Sequence, residues 1–133
     1  MVFNSESWNL AQKFRGTIAS EYLKYHGETN AQAGRTLVFF GNNKGFTTKR
    51  SPVYGKTLLA WKSGDNVPYW AVQTMLTFII AHGFNPDSEQ VLDSIVVLLC
   101  KDLPDEQCEA YLRKELRGIS GSELAKSLER VRV

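Results

Sequence analysis

Trp8, Ala11, Phe14, Ile18, Tyr22 and Tyr25 recur at spacings of three and four residues, the period of a helix that buries one stripe. Lys13, Arg15, Glu21 and Lys24 fall off that stripe. Asn4 or Ser5 can cap the start, and Gly27 stands where a left-handed residue closes a helix. The pattern predicts a helix over residues 6–26.

After the polar break ETNAQAG the period changes. RTLVFF is a short run of β-branched and aromatic residues, ended by GNNKG. Gly and Asn tolerate positive φ, so this piece can reverse the chain into FTTKR. SPVYG makes a second break, and KTLLAW reads as another strand. Residues 35–61 are therefore expected to form a small antiparallel β-hairpin sheet. Alternation within TLVFFG would turn either Leu37 and Phe39 or Val38 and Phe40 inward.

Pro68, Pro86 and Pro104 then follow at intervals of 18 residues, each just ahead of a helical pattern, where a missing N–H costs nothing. They open helices expected over 68–82, 86–101 and 104–117, and acids follow the second and third prolines as a helix dipole favours. Ser120 to Glu123 fits a capping box before LAKSLERV. The segments share the proline and little else, so they read as successive short antiparallel helices and not as a solenoid. PYWAVQTMLTFIIAHG is apolar on nearly every side and VLDSIVVLLC is similar, which assigns both to the middle of a core. The expected class is α+β, predominantly helical, with about five helices packed on the hairpin sheet in one domain of residues 1–133.

Composition changes this picture little. The 133 residues are 43% hydrophobic and 23% charged, ordinary for a globular chain. Cys100 and Cys108 are too sparse for a disulfide framework, and we expect reduced thiols in a cytoplasmic protein. The polar start lacks the basic and apolar regions of a signal peptide. The longest apolar stretch, Met75 to Ala81, is well short of the roughly 20 residues that span a bilayer.

Signs of catalysis are weak. His26 and His82 each fall near a predicted helix end, where interaction with carbonyls and the dipole accounts for them. Cys100, Cys108 and His82 match no common zinc spacing, and no phosphate loop or nucleophile elbow is present. PDEQCEAYLRK has the acids and lysine of some nuclease sites, but acids after a helix-opening proline are explained by capping. The expectation is a non-enzymatic protein without cofactor or metal.

Charge carries the functional signal. The net charge of +2 conceals a division: residues 1–33 are neutral, residues 34–64 hold six bases and no acid, and residues 65–133 hold eleven acids against seven bases. The six are Arg35, Lys44, Lys49, Arg50, Lys56 and Lys62. Lysines on exposed strands also guard edges, but solubility is served by mixed signs, and here no acid interleaves. Phe39, Phe40, Phe46, Tyr54 and Trp61 lie close by, with Phe46 and Tyr54 at loop edges and therefore the expected exposed pair. Cations that track a backbone beside aromatic faces suit single-stranded nucleic acid. The candidate site is thus Arg35, Lys44, Phe46, Lys49, Arg50, Tyr54, Lys56 and Lys62, binding RNA or single-stranded DNA. The other reading is an interaction module whose basic segment takes an acidic protein. Oligomerisation, basic segment against acidic half, would add avidity to so small a site.

Overall fold

The computed structural model describes residues 1–64 and 66–133. Among them are seven helices and no strand: α1 (Ser5–His26), α2 (Asn30–Asn43), α3 (Gly55–Trp61), α4 (Tyr69–Ala81), α5 (Glu89–Cys100), α6 (Asp105–Glu115) and α7 (Gly121–Val131). The one β pairing is an isolated bridge between Phe3 and Arg132. The class is therefore all-helical rather than α+β, and the expected hairpin over 35–61 is replaced by α2, a loop and α3.

The cause is visible in the residues first read as a polar break. Thr29 Oγ1 accepts from the Gln32 N–H at 3.2 Å, and the Thr29 N–H donates to Gln32 Oε1 at 3.1 Å. This reciprocal capping box satisfies two otherwise orphaned N–H groups and launches α2. Ala33, Gly34, Leu37, Val38 and Gly41 then fall on one buried face at helical spacing. β-propensity of the LVFF run loses to that cap and to burial of the face. GNNKG does end the element, but as a helix terminus. Gly45 at φ +79 lets its own N–H reach Asn42 O at 3.1 Å and the Phe46 N–H reach Gly41 O at 2.8 Å, a Schellman closure.

The other helices lie close to where the sequence put them. Asn4 Oδ1 accepts from the Ser7 N–H at 2.8 Å to cap α1, and Gly27 closes it at φ +74. Pro68 and Pro104 are the N-caps of α4 and α6, while Ser88 caps α5 and Ser120 caps α7.

The described chain divides into two compact units, Lys13–Gly83 on one side and Met1–Gln12 with Phe84–Val133 on the other. In the unit 13–83, α2 packs against α3 and α4. Ile18, Tyr22, Leu37, Leu58, Met75, Leu76 and Ile79 are fully buried. Each such aliphatic side chain contributes about 1.5–3 kcal/mol. The Tyr22 hydroxyl donates to Ala33 O at 2.6 Å, and its ring meets Phe78 edge-on at 5.1 Å. His82 stacks on Phe78 at 4.0 Å, with its Nδ1 2.8 Å from the Phe78 carbonyl oxygen, the helix-end role expected for it.

In the unit 1–12 with 84–133, α7 packs on α5 and α6. The Asn4 N–H donates to Val131 O at 2.8 Å, and the terminal amine of Met1 pairs with Asp105 at 3.4 Å. Arg130 grips Asp93 through Nε at 3.0 Å and Nη2 at 2.8 Å, and the buried Ser127 hydroxyl donates to the same carboxylate at 2.5 Å. Cys100 and Cys108 are buried and unbridged, and burial pushes both thiols up. No helix among the described residues is long and apolar enough to cross a membrane.

Candidate nucleic-acid interface

The loop between α2 and α3 doubles back along α2 because two residues of the helix hold it. At one end, the Asn42 side-chain amide donates to Val38 O at 2.8 Å and to Lys49 O at 2.7 Å. At the other, the Val53 N–H donates to Gly34 O at 3.4 Å. The stretch from Lys49 to Val53 runs beside α2 with a bend at Ser51, and Pro52 within it has no N–H to leave unsatisfied.

Gly34 makes this approach possible. A Cβ built there would lie 1.8 Å from Val53 O, so any side chain would displace the loop.

Arg35, Phe39, Asn42 and Asn43 share the outer face of α2 at i, i+4, i+7 and i+8. Opposite them stand Thr48, Lys49, Arg50 and Pro52, and the two sets enclose a groove of about 710 Å³. The groove is thus lined by Arg35, Lys49 and Arg50 together with Phe39, which is 69% exposed. No carboxylate among the described residues pairs with these cations: the five ion pairs all lie within 1–12 and 84–133. The unit 13–83 carries nine bases against three acids, so its net charge is positive.

A second, smaller cavity of about 260 Å³ adjoins the groove and shares Lys49 and Pro52 with it. Tyr54, Thr57 and Trp61 line it from one side of α3, and Pro68 and Trp70 from the start of α4. Tyr54 is 72% exposed, whereas Trp61 is only 6% exposed.

Of the eight residues expected from sequence, Arg35, Lys49 and Arg50 meet in the groove, and Tyr54 joins Lys49 at the adjoining cavity. Lys44 caps α2 with its ammonium 5.6 Å from the centre of the Phe40 ring, a cation–π contact outside the groove. Phe46 is half-buried at the helix terminus instead of exposed. Lys56 and Lys62, at the first turn and C-cap of α3, are exposed and line neither cavity.

The groove residues that sequence reasoning left out are Val38, Phe39, Asn42, Asn43, Thr48 and Pro52. Strand alternation makes Phe39 a core candidate, and the asparagines read as turn formers. The Thr29–Gln32 capping signature would have found them, because a helix begun there puts 35, 39, 42 and 43 on one face. No family model, curated protein or solved structure matches the chain.

Proposed function

We propose that the protein binds single-stranded nucleic acid, RNA or DNA, through the groove between α2 and the loop that follows it. One observation carries this reading: Arg35, Lys49 and Arg50 converge on an open cleft, unpaired with any described carboxylate, around an exposed Phe39 ring. Cations left together without counter-charges repel one another, and phosphates relieve that repulsion while releasing counterions. Arginine forks suit phosphate oxygens, and Phe39 offers a face to a base. The role is one of binding, without catalysis or cofactor. Cys100 and Cys108, buried as thiols, suit a reducing cytoplasmic compartment.

Titration of labelled single-stranded and duplex oligonucleotides across a salt series tests the proposal. Three phosphate contacts on a single strand give a log–log salt slope of about −2. Lys49→Glu/Arg50→Glu should abolish binding with an unchanged melting curve, since both side chains are exposed. Absence of binding at low salt, or equal competition by polyglutamate, which would favour an acidic protein partner, refutes it.

A further inference from the structure

We propose that the smaller cavity beside the groove is a pocket for one unstacked nucleobase. The inference rests on the groove's binding a nucleic-acid strand, and adds that a base of that strand leaves the stack to enter the pocket. Three features point to this occupant.

The first is shape and lining. At about 260 Å³ the cavity falls below the roughly 300–1,000 Å³ of sites for drug-sized ligands, and so suits a single planar ring system. Three aromatic residues and two prolines are among its lining: Tyr54, which is exposed, Trp61, which is buried, and Trp70, with Pro52 and Pro68. Every base has a π-face, and aromatic stacking is the contact that holds unstacked bases in single strands.

The second is local structure. Tyr54, Thr57 and Trp61 are spaced three and four residues apart, so α3 presents them on one side. Pro68 caps α4 and leads directly into Trp70 in its first turn. These elements are also held at their cores: Leu58 of α3 and Val72 of α4 are fully or almost fully buried. A platform so built costs little to organise on binding. Tyr54 is 72% exposed, so its ring is open to a ligand.

The third is continuity. Lys49 and Pro52 line both cavities, so the groove and the pocket are continuous at a cation. A strand crossing Lys49 therefore brings the base next to its phosphate to the Tyr54 ring. A proline-rich peptide would also find aromatic walls here, but nothing in such a peptide answers the three cations alongside.

The experiment compares wild-type protein on two probes at low salt: an oligothymidylate of about 12 nucleotides, and an abasic sugar–phosphate strand of the same length. Wild type should bind the oligothymidylate about tenfold more tightly than the abasic strand. Tyr54→Ala should erase the preference while leaving affinity for the abasic strand and the melting temperature unchanged, and Tyr54→Phe should restore it. Equal wild-type affinity for both probes overturns the base pocket and leaves the groove standing. If neither probe binds, the groove proposal falls and the pocket falls with it. Tryptophan quenching by a proline-rich peptide, with no response to the oligonucleotide, also overturns it.

Discussion

Replacing Gly34 with Ala tests the helix–loop contact on which the groove depends. The added methyl carbon would stand 1.8 Å from Val53 O and 2.9 Å from Val53 C, against the about 3.5 Å at which such atoms rest. The obstacle is backbone, and Val53 is itself buried, so the loop must retreat by more than an ångström and surrender the Val53–Gly34 hydrogen bond. Alanine is better than glycine inside a helix by about 1 kcal/mol. Overpacking costs about 1–3 kcal/mol and sometimes more, and the lost hydrogen bond about 1 kcal/mol. The balance is a destabilisation of about 1–3 kcal/mol, or about 4–12 °C in melting temperature for a chain of this size. Gly41→Ala is the control, because the atoms its Cβ would meet at 3.0 Å belong to the Thr47 and Thr74 side chains. That variant should stay within about 1 kcal/mol of wild type. Circular-dichroism melts of the three proteins decide the matter. A Gly34→Ala protein that melts at or above wild type refutes the close packing of the loop on α2, and with it the placement of Lys49 and Arg50 beside Arg35.

Thr29→Ala removes the side-chain half of the α2 capping box and should cost about 1 kcal/mol, read as an earlier urea midpoint; no loss would return residues 30–43 to a non-helical reading. Burial holds the Tyr22 phenol well above its ordinary value near 10, and raises Tyr111 to about 12 with help from Glu115. Both favour the folded state fully below pH ~10, where folded and unfolded phenols are alike neutral, and lose that advantage as pH climbs from there toward the folded-state values. Tyr22→Phe should therefore be the less stable protein at pH 7, lacking the bond to Ala33 O, with a gap from wild type that closes from pH ~10 upward at up to about 1.4 kcal/mol per unit. A gap constant across that range refutes the argument. Head-to-tail association of the basic unit of one copy with the acidic unit of another is proposed from their charges; light scattering should show salt-sensitive oligomers at low ionic strength, and a monomer at every salt concentration rejects it.

Where helices announce themselves by caps and a wide apolar stripe, the sequence was readable. Trp8 to Tyr25, the proline-led segments and Ser120–Glu123 all carry signals that act within a few residues. α2 escaped because its buried face is built partly from Ala33, Gly34 and Gly41, which contribute almost nothing to a hydrophobic pattern yet permit close approach. Leu37 to Phe40 is then an unbroken apolar run without period, and β-branched and aromatic residues in such a run favour a strand by propensity. α3, seven residues long, is too short to show a period at all. The concentration of cations was legible. Their convergence was not, because it depends on Asn42 and Gly34 holding the loop against the helix. Trp70 reads as a core residue and Trp61 as one of the aromatics near the cations, and their meeting in the smaller cavity is likewise a matter of tertiary placement.

The confinement of all described ion pairs to residues 1–12 and 84–133 makes added electrolyte act in opposite senses on the two units. Sodium chloride weakens the Arg130 and Arg132 attachments that brace α7, while it quiets the mutual repulsion of the uncompensated cations around α2. Amide hydrogen exchange should accordingly quicken in α7 and slow in α2 over the same titration. A polyanion, offering locally what bulk salt offers everywhere, would rigidify the second helix and leave the seventh untouched.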